Sequence, residues 1–214
     1  VASTSEVYGK SSKIPFAEED DMVLGPTPRA RWSYACSKAI DEFLALAYHR
    51  AHALPTVVVR FFNTVGPRQV GQYGMVIPRF VSQALKGEPL LVHGNGKQSR
   101  CFLHVKDAVE AFVKLSEHPQ AVGDVFNVGS QEEVTIEELA KRVLATIQST
   151  SRVVYVPYEE AYEEGFEDMP RRVPDISKIR RLIGFSPTKN LNEIIDDVVR
   201  DLRARAGAPV PGRS

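Results

Sequence analysis

The feature that most constrains the fold is the run Thr56-Val57-Val58-Val59-Arg60-Phe61-Phe62, which β-branched and aromatic residues fill almost completely. A strand that is apolar on both faces is typical of the interior of a parallel sheet that is covered by helices. A long helix is predicted just before it, from Ala30 to Ala53, and Leu54-Pro55 ends that helix. The run therefore predicts an α/β protein.

The rest of the sequence alternates between helical and extended patterns. Two helix starts carry the spacing of a capping box, with Thr135 before Glu138 and Asn190 before Glu193. Residues 10–29 are predicted to be a polar loop and residues 205–214 a frayed tail. The predicted strands are 1–4, 56–62, 89–93, 124–128 and 153–156, and the predicted helices are 30–53, 76–85, 105–117, 136–147, 176–182 and 191–204. Such alternation favours a parallel sheet.

The composition argues against several classes of partner. Basic and acidic residues number 27 each, so the chain lacks the positive charge typical of proteins that bind nucleic acid or a membrane surface. No apolar run approaches the roughly 18 residues that a membrane span needs, and no signal peptide is visible. Cys36 and Cys101 stand far apart, which favours a reduced, cytoplasmic protein. The five His residues lack metal-ligand spacing, so no metal is expected.

A Tyr and a Lys stand four residues apart in Tyr34-Ala-Cys-Ser-Lys38, and that spacing puts both on one face of the predicted helix. An ammonium beside a phenol can lower the pKa of the phenol from about 10 toward neutrality. Thr4 ends a predicted strand about 30 residues earlier and could add a hydroxyl to a proton relay. These residues suit the oxidation of an alcohol, which requires a nicotinamide cofactor.

A lone Tyr-x-x-x-Lys is common by chance, but three further motifs accompany this one. They are Ser3 to Gly9, Arg60 to Arg68, and Gly94 to Phe102. The first two follow predicted strands, and sites in open α/β sheets assemble at the carboxyl ends of strands.

Together these motifs resemble the extended short-chain dehydrogenase/reductases that modify nucleotide sugars, over Ser3 to about Leu202. The resemblance implies the C-terminal part of a Rossmann-like parallel sheet, formed by residues 1–66 with 101–129. It also implies a smaller α/β substrate-binding domain, formed by 67–100 and 130–204. The glycine-rich G-x-x-G-x-x-G loop that the family uses to hold its dinucleotide is not found in these 214 residues.

The resemblance also implies residue roles. Tyr34 matches the catalytic base, whose phenolate takes the proton of a sugar hydroxyl as hydride leaves C4 for NAD⁺. Lys38 matches the residue that favours the phenolate and binds the nicotinamide ribose. Thr4 matches the Ser or Thr that hydrogen-bonds the reacting oxygen, and the alternative is a hydroxyl that satisfies the backbone at a strand end. Phe61 is expected to contact the cofactor, and no residue is expected to bind a metal.

Ser5 and Glu6 bear most on the reaction. In dTDP-glucose dehydratases the matching pair is Asp-Glu, so Ser5 disfavours that reaction. Thr4-Ser5-Glu6 resembles UDP-glucuronate decarboxylases and GDP-mannose dehydratases, and Glu6 is a catalytic candidate unless it is a solvated loop carboxylate. Against a decarboxylase, the chain has Tyr73-Gly74-Met75 where those enzymes tend to have Asp-Gly-Arg. An uncharged Met75 cannot pair with a substrate carboxylate, so a 4-epimerase is slightly favoured.

Several more residues are implied to bind the substrate together with Thr4 and Ser5. Arg100 and Arg172 resemble arginines that bind a diphosphate, a role that the planar guanidinium suits because it can pair with two oxygens. Each could instead be a surface charge, Asp175 could simply cap the following helix, and Arg171 is expected to be solvated. The full set of substrate-binding candidates is Thr4, Ser5, Asn63, His93, Arg100, Arg172 and Asp175.

The sequence thus predicts an NAD-dependent enzyme that acts on a nucleotide sugar as a 4-epimerase or a UDP-glucuronate decarboxylase. The sugar is expected to be UDP-linked. A GDP-mannose-type 4,6-dehydratase is an alternative. A different alternative is a truncated, non-catalytic nucleotide-sugar-binding remnant, since a dinucleotide pyrophosphate has no glycine loop here. A homodimer is also expected, because the helix 30–53 carries Trp32, Phe43, Leu44 and Tyr48 and family members commonly dimerise through that helix.

Overall fold

The computed structural model describes residues 1–70, 75–161, 167 and 169–207, and its helices and strands alternate along the chain. In chain order the elements are β1 (Ala2–Thr4), α1 (Arg31–His52), β2 (Val57–Phe61), β3 (Thr64–Val65), α2 (Val76–Leu85), β4 (Leu90–His93), β5 (Ser99–Cys101), β6 (Leu103–His104), α3 (Val105–Glu117), β7 (Asp124–Val128), β8 (Glu133–Thr135), α4 (Ile136–Ile147), β9 (Val153–Val156), α5 (Tyr158–Ala161), β10 (Arg171–Arg172), α6 (Ser177–Ile183) and α7 (Leu191–Ala206).

Four small sheets organise these strands, and nearly all of their pairings are parallel, as the sequence predicts. The central sheet has the order β1-β2-β7, with both pairs parallel. The pairs β3-β6 and β4-β9 are parallel as well. In the sheet β10-β5-β8, β5 runs parallel to β10 and antiparallel to β8. The α/β class is therefore confirmed.

Three buried clusters hold the elements together. One lies among β4, α2, α4 and α7, and it includes Phe80 and Leu139. A second lies among β2, β7, α3 and α6. The third joins the 3-10 turn that follows β1 to the first half of α1, and Trp32 belongs to it. Trp32 is therefore a core residue, which corrects its assignment to an exposed dimer surface.

Helix ends follow local capping chemistry. Asn190 and Glu193 form the reciprocal capping box at the start of α7, as predicted. At α4, Thr135 accepts the backbone N–H of Glu138 at 3.1 Å, but the Glu138 carboxylate is paired with Arg142 instead. Helix α7 continues two residues beyond its predicted end at 204. Arg205 and Ala206, the first two residues of the predicted tail, are therefore helical. Residues 208–214 lie outside the described ranges.

The strands that the sequence did not predict are only two or three residues long: β3, β5, β6, β8 and β10. Periodicity cannot reveal strands this short. No helix within the described ranges combines the length and the apolar character that crossing a bilayer requires. The described side chains also include no group of three or more His, Cys, Asp or Glu placed to hold a metal ion.

Candidate active site

A cleft of about 1350 Å³ opens at the carboxyl ends of β1 and β2, and all but one of the predicted site residues line it. β1 and the turn after it contribute Thr4, Ser5 and Glu6, and the first turns of α1 contribute Tyr34 and Lys38. The other predicted residues that line the cleft come from later in the chain: Phe61, Asn63, His93, Arg100 and Arg172. Asp175 is the one predicted site residue that does not line the cleft.

The turn after β1 explains the Ser3-to-Gly9 motif. Thr4 is the N-cap of a 3-10 turn over Ser5–Tyr8, and its Oγ1 accepts the backbone N–H of Glu6 at 3.2 Å. Gly9 ends the turn with φ +58°, and a Cβ on Gly9 would lie 2.2 Å from the carbonyl oxygen of Val23. Only glycine fits there. The motif thus turns the chain sharply, so that Thr4 and Glu6 both reach the cleft.

Tyr34 and Lys38 lie one helical turn apart at the cleft end of α1, as their spacing predicts. The Tyr34 side chain is 52% exposed, so its phenol is accessible to a ligand. Lys38 Nζ donates to Asp41 Oδ2 at 2.9 Å. That hydrogen bond raises the pKa of Lys38, burial opposes the rise, and Asp41 and Tyr34 add to it. Lys38 therefore stays cationic within electrostatic reach of Tyr34.

Glu6 is flanked by two arginines, one of which the sequence reasoning missed. Its Oε2 lies 2.5 Å from Arg31 Nη1, and its Oε1 lies 2.5 Å from Arg172 Nη1. Burial alone would raise the pKa of Glu6, but Arg172 and Arg31 outweigh it and hold that pKa below its usual value. Glu6 is thus a fixed anion in the cleft wall and not a solvated loop carboxylate. Arg31 could have been found from its i,i+3 spacing to Tyr34.

Arg100 and Arg172 lie side by side, because they are direct register partners in the parallel pair β5-β10. They are 8% and 9% exposed, which rules out the alternative that either is a plain surface charge. Arg100 Nη1 donates to the Ser99 carbonyl at 2.7 Å. Two nearly buried guanidinium groups in one cleft form a cationic wall that suits an anionic ligand such as a diphosphate.

Arg171 is exposed, as expected, with 53% of its side chain accessible, and it also forms an ion pair. Its Nε and Nη2 donate to the two carboxylate oxygens of Glu133 at 2.7 and 2.8 Å. Glu133 also accepts a hydrogen bond from Ser99 Oγ. The hydrogen bond from Arg171 is the main reason that the pKa of Glu133 falls to about 2. This ion pair joins β8 to β10 beside the cationic wall.

His93 contacts a second arginine that the sequence reasoning missed. Arg79 Nη1 lies 3.1 Å from His93 Nε2, and Gln98 Nε2 donates to the His93 carbonyl at 2.8 Å. Burial lowers the pKa of His93, and Arg79 lowers it further. His93 is therefore a neutral, flat ring on the cleft wall at neutral pH.

Asn63 and Asp175 have local structural contacts. Asn63 Nδ2 donates to the Cys101 carbonyl at 3.0 Å, so the amide holds the corner between β2 and β5 while the residue still lines the cleft. Asp175 Oδ1 accepts the backbone N–H of Ser177, the first residue of α6, at 2.7 Å, while Ile176 occupies the N-cap position. The structure therefore supports the capping alternative for Asp175 and does not bring it to the cleft.

Another wall of the cleft is apolar, and its residues from α3 were not predicted. It is formed by Val105, Ala108, Val109 and Phe112 from α3, with Phe61 beside them. Val109 and Phe112 are 56% and 46% exposed in the described chain. Met75 also lines the cleft, whereas Tyr73 and Gly74 lie outside the described residues. Because Arg31 and Arg79 line the same cleft, an uncharged Met75 does not leave the site without cations.

Comparison with known proteins agrees with this geometry. The family model described as GDP-mannose 4,6 dehydratase matches residues 1–198. A UDP-N-acetyl-alpha-D-glucosaminuronate decarboxylase of Bacillus cytotoxicus is 43% identical over 203 residues, which are 94% of this chain and 62% of that protein. UDP-glucuronic acid decarboxylase 2 of Arabidopsis thaliana is 38% identical over 205 residues, which are 96% of this chain and 44% of that protein.

Solved structures show the same relationship. An epimerase of Methanothermobacter thermautotrophicus superposes with a TM-score of 0.86 at 30% identity, covering 96% of this chain and 59% of that one. UDP-glucuronic acid 4-epimerase of Bacillus cereus, solved with UDP-glucuronic acid and NAD, gives a TM-score of 0.80 at 26% identity, covering 95% and 60%. The chain thus spans about half to three fifths of the length of these relatives. Since the family model covers nearly all of it, the chain belongs to the extended short-chain dehydrogenase/reductase family of nucleotide-sugar epimerases and dehydratases.

Proposed function

We propose that the protein carrying this chain is an NAD-dependent enzyme that modifies a UDP-linked uronic acid through transient oxidation at C4. A decarboxylase is the leading candidate and a 4-epimerase the second. The observation that carries the proposal is the convergence of Thr4, Tyr34 and Lys38 on one cleft, beside the Glu6–Arg172 ion pair.

The cleft fits the nicotinamide end of the cofactor. Lys38 and Tyr34 offer an ammonium and a hydroxyl that suit ribose hydroxyls, and the apolar wall of Phe61, Val109 and Phe112 suits a flat ring. When bound, NAD⁺ accepts a hydride from C4 of the sugar. The pyrophosphate cradle is absent from these 214 residues, so this chain accounts for one end of the cofactor site.

The chain's own residues would handle the proton. Tyr34 would act as the base that removes the proton of the C4 hydroxyl, and Thr4 would orient that oxygen from the end of β1. Lys38, held cationic by Asp41, would favour the phenolate form of Tyr34. Arg100 and Arg172 would bind the diphosphate, with the flat ring of His93 toward the base. Ser5 and Asn63 would complete the sugar site.

Oxidation at C4 turns a uronic acid into a β-keto acid, which loses CO₂ readily and then needs a proton at C5. Glu6 is kept ionised by its two arginines, so it would orient a hydroxyl or a water and would not itself supply a proton. In an epimerase, the same keto sugar would turn over and be reduced from its other face.

The choice between the two reactions rests on the relatives. The two decarboxylases named above match this chain at 43% and 38% identity, whereas the UDP-glucuronic acid 4-epimerase matches at 26%. The Thr4-Ser5-Glu6 run favours the same choice. We therefore place the decarboxylase ahead of the epimerase, which reverses the order that Met75 alone suggested.

Product analysis tests the proposal. The full-length protein with NAD⁺ is given UDP-glucuronate, UDP-N-acetylglucosaminuronate and GDP-mannose, and the products are followed by NMR. Loss of the carboxylate supports the decarboxylase, and inversion at C4 supports the epimerase. Conversion of GDP-mannose alone favours the 4,6-dehydratase. If every sugar is recovered unchanged, the enzyme proposal fails and the non-catalytic alternative gains support, which NAD⁺ calorimetry on the chain then checks.

The protein is also proposed to be a homodimer that pairs through α1. One side of this helix exposes large apolar side chains: Ile40, Phe43, Leu44 and Tyr48 are 53% to 64% exposed. Apolar area of this kind on a helix marks an interaction surface more often than a solvent face.

The domain division remains part of the proposal. Residues 1–66 and 101–129 supply the sheet β1-β2-β7 with α1 and α3, which supports their assignment to the cofactor domain. Residues 67–100 and 130–204 supply most of the cluster around α2, α4 and α7, which supports a substrate domain. A cytoplasmic location is proposed on the ground that Cys36 and Cys101 are both free thiols.

A further inference from the structure

A buried polar row crosses the central sheet beside the cleft. Ser3 of β1 is the register partner of Arg60 in β2, and Arg60 is the partner of Asn127 in β7. These residues are 5%, 3% and 0% exposed. Ser3 directly precedes Thr4, so the row begins one residue from the hydroxyl proposed to orient the substrate.

The carboxylate of Glu42 in α1 sits on this row and is 2% exposed. Arg60 Nε donates to its two oxygens at 3.0 and 3.2 Å, and Arg60 Nη2 donates to Oε2 at 2.7 Å. Ser3 Oγ donates to Oε1 of the same carboxylate. A single side chain therefore ties α1 to β1 and to β2.

The Nη1 group of Arg60 makes two further hydrogen bonds. Arg60 Nη1 donates to the Tyr8 hydroxyl at 2.9 Å and to the Glu18 carbonyl at 3.1 Å. The Tyr8 hydroxyl donates in turn to Asn127 Oδ1 at 2.7 Å. Burial raises the pKa of Tyr8 to about 12, despite the opposing effect of Arg60, so Tyr8 keeps the proton that it donates. The network extends from α1 through three strands without an unpaired charge.

Such a network does not exist for stability alone. A buried ion pair loses the hydration of both charges, and well-packed apolar residues of the same volume often stabilise a fold as well or better. Apolar packing lacks directional contacts, because an apolar helix face can slide or rotate at a small cost in free energy. A forked guanidinium–carboxylate pair fixes both the translation and the rotation of the helix.

Glu42 lies on the same helix as two of the catalytic candidates. Tyr34, Lys38 and Glu42 follow one another at intervals of four residues along α1, so they form one ridge of the helix. We infer that Glu42 and Arg60 are positioning residues. They fix the translation and rotation of α1 that bring Tyr34 and Lys38 to the same cleft as Thr4. This inference rests on the proposed function, in which Tyr34 is the base.

The test uses the full-length protein with NAD⁺ and its uronic-acid substrate, at a temperature where circular dichroism shows every variant folded. Glu42→Gln keeps the shape but removes the charge, and Ser3→Ala removes only the link to β1. A displacement of about 1 Å can cost about 100-fold in rate. We expect kcat to fall at least about tenfold in both variants, with KM nearly unchanged.

Two further variants separate positioning from stability. Ser3→Thr keeps the hydroxyl and should retain kcat. Asp107→Asn is the matched control, since Asp107 is 4% exposed and accepts hydrogen bonds from Thr188, away from α1. It should lower the melting temperature and keep kcat. Only Glu42→Gln and Ser3→Ala should move the acid limb of the pH–rate profile upward, because a displaced Lys38 stabilises the phenolate less.

A readout without turnover keeps this inference separate from the proposed function. Hydrogen exchange of the amides in Arg31–Glu42 should be faster in Glu42→Gln than in Asp107→Asn, relative to α4. If the wild type converts no sugar, the proposed function fails and this exchange alone decides on the positioning pair. The inference is overturned if Glu42→Gln keeps its exchange rate and kcat, or if Asp107→Asn loses kcat to the same degree.

Discussion

Glu6 and Arg172 form an ion pair of 2.5 Å in the wall of the cleft, although 166 positions separate them in the sequence. Glu6 follows β1, and Arg172 lies in the two-residue strand β10. The pair therefore joins the end of the central sheet to the sheet that holds Arg100. Arg172 can therefore lower the pKa of Glu6 only when the two sheets pack against each other.

The phenol of Tyr34 is expected to carry the proton transfer. Tyr34→Phe removes the hydroxyl and keeps the ring, so kcat should fall by about 100-fold or more while substrate affinity stays within about threefold. Tyr48→Phe is the matched control, because Tyr48 lies on the same helix at 54% exposure and does not line the cleft. Steady-state kinetics on the full-length protein measure both, and near-normal turnover in Tyr34→Phe would remove it from the mechanism.

Arg31 is expected to keep Glu6 anionic. Arg31→Ala removes one of its two arginines, so the pKa of Glu6 should rise toward its ordinary value, which an NMR titration of the Glu6 carboxyl measures in wild type and variant. The loss of a charged hydrogen bond should cost about 1–3 kcal/mol of stability near neutral pH. Arg29→Ala, at an exposed position two residues away, provides the control. An unchanged Glu6 pKa in Arg31→Ala would contradict this role.

The Glu133–Arg171 pair should make stability depend on pH in the acid range. The folded-state pKa of Glu133 is about 2, below the ordinary value of 4.5. A depressed folded-state pKa contributes stability above pH 4.5, and this contribution is lost as the pH falls from 4.5 to 2. The free energy of unfolding in urea should therefore be lower for Glu133→Gln than for wild type at pH 7. The two values should converge near pH 2. An equal difference at both pH values would refute the assignment.

Phe43 is expected to lie in the dimer contact of α1. It is 64% exposed, so Phe43→Glu should leave the fold intact while it places charge in the contact. Light scattering should report a dimer for wild-type full-length protein and a monomer for the variant. Tyr155→Glu changes a 48% exposed aromatic on β9 and should keep the dimer mass. A monomeric wild type, or a dimeric Phe43→Glu, would count against this surface.

The two thiols should react very differently. Cys36 is exposed on α1, whereas Cys101 is fully buried and burial raises its pKa to about 12. Thiolate is the reactive form, so an alkylating reagent at pH 8 should label Cys36 quickly and Cys101 only after unfolding. Mass spectrometry of the labelled peptides measures this, and rapid labelling of Cys101 in the folded protein would contradict its burial.

Local sequence signals predicted the long elements well, because each carries its own periodicity or cap. The bounds of α2, α3, α4, β7 and β9 agree with the prediction, and Asn190 caps α7 as expected. The short strands could not be predicted, since two residues in β10 become a strand only through pairing with β5. Trp32 illustrates the same limit, because its burial depends on a cluster assembled from distant segments.

The sequence by itself determined the α/β class, the one-turn spacing of Tyr34 and Lys38, and the strand-end motifs that bring Thr4 and Asn63 to the cleft. These follow from helix and strand periodicity and from the rule that sites form at the ends of parallel strands. Only the tertiary structure decided the long-range partners: Arg31 and Arg172 for Glu6, and Arg60 for Glu42. Ion pairs depend on distance and burial, and both are set by how separate elements pack against one another.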